Sequence, residues 1–228
     1  MTESKRVKKS AEERKQELVQ AAMGLFFSRG YAETSVNDII QSVGVSKGAF
    51  YHHFESKQAV LEALVDGMIA QYHALLVPVM ADKSLGTFGL WKALLETTHR
   101  MDLKQKESIK LFAQVMHKEE NVLLAKKIVA KSAAAFNPYL TEFIQRGIDE
   151  GHFDVEFLQE SAAIVIAILN AFNEDFLFYL CQEGNNTLVI ENIKRKVDAS
   201  QKAIERVLDA PKGSLPLVDL NLLDVWFE

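Results

Sequence analysis

A single cysteine, Cys181, leaves this chain no partner for an intramolecular disulfide, and its apolar neighbours read as the surroundings of a small buried hydrophobe. Four prolines and eleven glycines in 228 residues are too few for a linker-rich or fibrous chain, and 48% hydrophobic residues exclude a disordered one. No apolar stretch opens the sequence. Residues 1–10 are polar and basic, which predicts a cytoplasmic chain rather than an exported one. Strand-period alternation is also lacking, and apolar residues recurring every three or four positions predict an all-α protein.

Arrangements for catalysis are missing as well. The six histidines and 31 carboxylates form no His-x-x-x-His, Cys-x-x-Cys or Gly-x-Ser-x-Gly string. His52 and His53 are neighbours, so on a helix they diverge instead of converging on one ion. We therefore expect no enzyme activity, no metal and no cofactor.

The net charge of −5 argues against nucleic acid until its distribution is considered. Residues 1–57 hold nine Lys/Arg against seven Asp/Glu, whereas residues 58–228 hold 17 against 24. Lys5, Arg6, Lys8 and Lys9 concentrate in a short arm suited to tracking phosphates.

Ser10 and Glu13 have capping-box spacing, and Leu18, Ala22 and Leu25 then repeat along a first helix that Gly30 can close. Thr34 or Ser35 can cap a second helix with Asp38, its buried face being Val36, Ile39, Ile40 and Val43. After Gly44 and Val45, Ser46 can cap a third helix over 47–54, which gives helix-turn-helix spacing. A fourth helix from about residue 57 presents a wide apolar stripe until Pro78 and is long enough to act as a lever between two domains. The expected division is 1–57, a three-helix DNA-binding domain with its basic arm, and 58–228, a larger helical ligand-binding and dimerisation domain.

On the third helix, Phe50 and Phe54 lie four apart and can anchor it to Leu18, Leu25 and Ile39. Lys47, Gly48, Tyr51 and His52 then project the other way, a poor set for packing and a good one for a groove of DNA. Gly48 and Ala49 admit a close backbone approach, and the alanine methyl can meet a thymine methyl. Thr34, Ser35, Ser46, Tyr51, His52 and Lys57 are candidate phosphate contacts, helped by helix N-termini. These residues, 34–40, 44–54 and 56–57, resemble the DNA-binding domain of the tetracycline-repressor (TetR) family. The resemblance implies a bacterial regulator, usually a repressor, dimeric through its last two long helices and holding a small-molecule pocket in its carboxy-terminal domain.

Further helices are expected at about 85–100, 104–117, 121–151 with a break at Pro138, 155–181 and 188–209. Asn170, Asn173, Glu174 and Asp175 interrupt the apolar run 162–180, which argues against a membrane span. The 155–181 helix, apolar nearly all round, and the 188–209 helix, striped by Ile190, Ile193, Val197, Ile204 and Leu208, read as a homodimer interface. Candidate effector contacts are Trp91, His99, Phe112, Met116, His117, Tyr139, Phe143, Asn170 and Asn173, with Phe88, Met101 and Phe136 beside them. The tail 211–228 is too apolar to be free and is expected to dock on the protein's own dimer. The expected function is release of a repressor from a near-palindromic double-stranded operator by a small apolar or amphipathic effector. A DNA-binding protein without an effector remains the competing reading.

Overall fold

The computed structural model describes residues 10–182, 186–220 and 223–227. The described residues form ten α-helices and no strand, in keeping with the all-α expectation. They are α1 (Ala11–Arg29), α2 (Val36–Val43), α3 (Lys47–His53), α4 (Lys57–Ala81), α5 (Thr87–Lys104), α6 (Lys106–Met116), α7 (Val122–Asp149), α8 (Leu158–Leu180), α9 (Asn186–Val207) and α10 (Leu223–Phe227), with a 3-10 turn at Glu119–Asn121. Two compact units divide the chain, Met1–Met68 and Ile69–Glu228, so the first turns of α4 group with α1–α3. The basic arm Lys5, Arg6, Lys8 and Lys9 lies outside the described residues.

The first unit follows its capping signals closely. The Ser10 hydroxyl accepts the Glu13 amide at 3.1 Å while the Glu13 carboxylate accepts the Ser10 amide at 2.6 Å. At α2 the same exchange joins Ser35 and Asp38, at 3.2 and 2.8 Å. Gly44 closes α2 with φ +69°, a left-handed conformation open to glycine at little cost, and lets the chain restart at Ser46. The buried side of α1 is Leu18, Ala22 and Phe26, each with 0% exposure. Phe26 thus takes the inward place expected of Leu25, which is half-buried, because a spacing of four and four keeps all three residues on one face.

In the second unit, α7 packs against α8 and α8 against α9. Polar groups near the end of α7 hold two other helices by their open ends. The Arg146 guanidinium donates to the carbonyls of Met80, Asp82 and Leu85 at 3.1–3.3 Å, closing α4. The Glu150 carboxylate accepts the Thr87 amide and hydroxyl, both at 2.8 Å, opening α5. Between these two residues sits Gly147, where an added Cβ would stand 2.1 Å from the Phe153 ring, so only glycine admits that contact.

Neither proline breaks its helix as expected. Pro78 lies inside α4, and α7 runs unbroken through Pro138. The carbonyls that each ring deprives of a donor belong to Ala74 and Ala134, both on exposed faces open to water. The stripe of α9 also differs from expectation. Ile193, Val197, Ile204 and Leu208 are 0–5% exposed and belong to the core of their own subunit, so they are not a surface for a second copy.

The apolar tail docks on its own chain. Leu215, Leu217 and Leu223 enter the same core, and Phe176 of α8 meets Trp226 and Phe227 at 5.2 and 6.4 Å. Trp91 donates to the Pro216 carbonyl at 2.7 Å, and Lys106 to the Val225 carbonyl at 2.5 Å. The turn into the tail is held by Glu205, 4% exposed, whose carboxylate accepts the Leu215 amide at 3.2 Å. Burial alone would raise the Glu205 pKa. Hydrogen bonds from the Gln201 side chain and from the amides of Gly213, Leu215 and Ser214 outweigh it and hold the carboxyl below its usual range.

A depressed carboxylate stabilises the fold above its unfolded pKa, roughly 4.3 for glutamate, and the contribution fades as pH falls through the lower folded value. Glu205→Gln should therefore lower the thermal midpoint at pH 7, by about 1–3 kcal/mol of stability, with earlier release of Trp226 fluorescence. The gap from wild type should narrow below about pH 4. A gap that is constant with pH would show that the charge is not what holds the tail.

Candidate nucleic-acid interface

The third helix has seven residues and two unlike sides. Phe50 and Phe54 are 0% and 4% exposed, and their rings stand 6.0 Å apart. Ser46, Lys47, Gly48, Tyr51 and His52 are exposed, with Ala49 half-buried. Tyr51 meets the buried Phe50 ring edge-on at 5.4 Å, and the Lys47 ammonium lies 5.9 Å from the Tyr51 ring. The outward groups thus stand on a fixed base. Gly48 has no internal justification, because a Cβ there would meet nothing closer than the Ser46 hydroxyl at 4.0 Å. A glycine inside a helix costs about 1 kcal/mol against alanine. Its place in the first turn of an exposed face leaves room for an outside surface to approach the backbone.

Three phosphate candidates have inward or local duties. Thr34 is 1% exposed, and its hydroxyl lies within hydrogen-bond reach of the Gly30 and Leu25 carbonyls, at 2.8 and 3.3 Å. It closes the α1–α2 turn and is removed from the DNA-facing set. Lys57 donates to the carbonyls of Tyr31 and Ala32 at 2.6 and 3.3 Å and lies 4.2 Å from the Tyr31 ring. The expectation that it tracks phosphate is corrected to a structural clamp. At Ser35 the amide and hydroxyl both meet the Asp38 carboxylate, so part of the anion-attracting end of α2 is already filled. Those hydrogen bonds, with Arg29 at 3.5 Å, hold the Asp38 carboxyl below its usual range.

The nine effector candidates do not converge. Trp91 and Phe143 pack together at 5.0 Å in the core, where Phe143 is 1% exposed. His99, whose pKa burial pushes down, takes a hydrogen bond with the Leu217 backbone and so faces the tail. His117 is exposed, with its ring 5.7 Å from Phe178 and Nδ1 2.8 Å from the Ala113 carbonyl. Phe112 and Met116 lie on the same helix end, half-buried and buried. Asn173 is exposed and Asn170 half-buried on α8. A surface groove of about 640 Å³ along α7, lined by Asn137, Thr141, Glu142 and Gln145 among others, includes none of the nine.

Tyr139 is the exception. Its hydroxyl pairs with His73 Nδ1 of α4, and beside it the Tyr72 hydroxyl donates to Asp102 of α5. Phe136 lies edge-on to Tyr72 at 6.1 Å and parallel to His73 at 6.3 Å. This polar and aromatic layer joins three helices, and Tyr72, His73 and Asp102 were missed in the sequence. The available signal was a run of polar-tipped aromatics, Tyr72 and His73, in an otherwise apolar helix.

Comparison with known proteins adds the following. Residues 18–64 match the model of the tetR family of bacterial regulatory proteins. The chain is similar to the HTH-type transcriptional regulator SrpR of Pseudomonas putida, 26% identical over 68% of this chain and 70% of that one. It is also similar to the HTH-type transcriptional regulator TtgR of the same species, 31% identical over 40% of this chain and 43% of the relative, under half its length. A solved TetR-family transcriptional regulator from Pectobacterium atrosepticum shares the fold, with a TM-score of 0.59 and 19% identity over 91% of this chain and all of the other.

The clamp at Lys57 predicts that Lys57→Ala lowers the melting temperature of the first unit while leaving the salt dependence of DNA binding unchanged. Lys47→Ala should leave stability alone and reduce the slope of log affinity against log salt by about one if its ammonium meets a phosphate. Fluorescence anisotropy across a salt series separates the two residues, and an equal fall in slope for Lys57→Ala would return it to the DNA surface.

Proposed function

We propose that this chain, whose residues 18–64 match the tetR family of bacterial regulatory proteins, is a cytoplasmic, homodimeric, sequence-specific transcriptional regulator of that family, released from its operator by a small apolar or amphipathic effector. The observation that carries this reading is the two-sided α3. Two phenylalanines are buried behind it, and Lys47, Gly48, Ala49, Tyr51 and His52 are available in front. A surface of this kind enters the major groove, where bidentate and methyl contacts distinguish bases. The family relatives are DNA-binding regulators and not enzymes.

Dimerisation is supported by α8. Ala163, Ile164, Ala167, Ala171 and Phe178 are all exposed and recur at intervals of three, four or seven along one side, with Ile164 at 50% and Phe178 at 47% exposure. By length and composition alone α4 and α8 could each cross a membrane. The small side chains on α8, flanked by Asn173 and Glu174, instead suit close approach of an identical helix. The outer side of α9 carries Glu191, Lys194, Arg195 and Lys202, so its share of a 155–181 and 188–209 interface is polar. A two-fold dimer would present two recognition helices to half-sites about one helical turn, or a small multiple, apart. Repression is the reading favoured by the relatives whose names say repressor, among them KstR2 of Rhodococcus jostii. For the effector we retain Tyr139 of the nine candidates, joined now by Tyr72, His73, Asp102 and Phe136.

Selection of bound duplexes from a random pool should yield a near-palindromic motif, and a pool with no enriched sequence would overturn the proposal. The double variant Ile164→Glu, Ala167→Glu should remain helical and sediment as a monomer, since paired carboxylates would face their own copies across the axis. Its operator affinity should fall about a hundredfold or more, because one recognition helix then binds without its partner. A fully dimeric double variant would move the interface away from α8.

A further inference from the structure

Asp102 is a carboxylate set among rings with little to neutralise it. The Tyr72 hydroxyl donates to it, and among the described residues no basic side chain offsets its charge. Burial pushes its carboxyl up to about 6 against that one hydrogen bond, so at neutral pH it is ionised at a cost. One helical turn on, Gln105 donates its side-chain amide to Gln71 at 2.7 Å, while its own carbonyl oxygen is buried without a hydrogen-bond partner. At one helix end Asp102 thus has a single donor, the Tyr72 hydroxyl, and one turn on the Gln105 carbonyl oxygen has none. The aromatic members of the layer complete the setting, with Phe136 against Tyr72 and His73, and Tyr139 5.0 Å from His73. Tyr72, His73, Asp102, Gln105, Phe136 and Tyr139 are half-buried and Gln71 is exposed, so the layer is not sealed within the core.

We propose that this layer recognises the effector and that the effector is an organic cation: a protonated amine on an aromatic or apolar body. The inference rests on the effector response proposed above and names its chemical class. The ammonium would donate N–H groups to the Asp102 carboxylate and the Gln105 carbonyl, and its charge would supply the neutralisation that the protein withholds. The faces of Tyr72 and Phe136 attract the same charge through their ring quadrupoles. An anionic ligand would meet an ionised carboxylate at close range, and a neutral one would leave that charge unpaired. The site thus discriminates by charge first and by shape second.

The test uses three probes on one aryl body, 1-naphthylmethylamine, 1-naphthylmethanol and 1-naphthoate, titrated calorimetrically into the full-length protein at pH 7.5. The amine should bind at least about tenfold more tightly than the alcohol, and the carboxylate most weakly. Equal affinities, a reversed order, or no binding by any probe would overturn the proposal, and this part requires no variant. Asp102→Asn retains an acceptor for Tyr72. It should bring the amine down to the level of the alcohol while leaving alcohol binding within about twofold, whereas Asp102→Glu should keep the preference. A preserved amine preference in Asp102→Asn would exclude Asp102 as its source.

Release of a bound duplex is scored separately. Amine binding through Asp102 with no change in DNA affinity would leave the recognition site standing and remove the proposed effector response. Release by the neutral or anionic probe, without an amine preference, would do the reverse.

Discussion

A helix of seven residues has no stability of its own in water, because nucleation costs more than so few hydrogen bonds return. The recognition helix exists because Phe50 is wholly buried behind it and Phe54 nearly so. Burying each ring is worth about 1.5–3 kcal/mol, and the pair fixes the rotation of α3 about its axis as well as its existence. With those two positions inward, the 3.6-residue period sets Gly48 and His52 on the opposite side, and Lys47 and Tyr51, nearer its edge, are exposed as well. The exposed surface proposed to meet DNA is therefore a by-product of core packing in the first unit.

The second unit is organised differently, through polar groups that close chain ends. Arg146 satisfies carbonyls at the end of α4, Glu150 satisfies the amide at the start of α5, and Glu205 gathers the amides that turn the chain into its tail. Each does for a helix end or turn what a capping side chain does locally, but from a distant part of the sequence. With these ends held, α9 spends its apolar stripe inside its own subunit, and the tail covers part of what remains. Of the two helices expected to pair, α8 is the one that leaves an apolar side exposed, which is why the dimer reading now rests on one helix face rather than on two.

How much of this was legible follows the sequence distance of each contact. The capping boxes at Ser10 and Ser35, the turn at Gly44 and the inward faces of α2 and α3 depend on residues three or four apart, and all could be read directly. The error at Leu25 is one of register: Phe26 fits the same helix one position on. Pro78 and Pro138 misled because the rule about proline concerns a lost hydrogen bond, and sequence alone does not show whether the freed carbonyl meets water. Lys57 misled because its partners lie 25 and 26 residues away, in a turn whose carbonyls carry no signal in side-chain identity. The layer around Asp102 is harder still, since it joins Tyr72 to a residue 30 positions on and His73 to one 66 positions on. Aromatic residues at helical spacing look alike whether they line a core or a site, so Trp91, Phe143 and Tyr139 could not be told apart.

What does separate them in the structure is the degree to which their polar partners are satisfied. Lys57 has two carbonyls and a ring, Thr34 two carbonyls, and Trp91 the carbonyl of Pro216. Groups so well supplied gain nothing from an outside ligand, and their removal is felt as lost stability. Asp102 and Gln105 are the opposite case, the first with one hydroxyl donor for its charge and the second with a carbonyl oxygen that has no partner. A half-satisfied buried network costs the folded state free energy, and it persists where something outside the chain completes it. The same accounting therefore divides the candidate residues in both units. Side chains with complete inward partners hold the fold, and those exposed without an internal purpose, or half-buried without enough partners, are the ones proposed for DNA and for an effector.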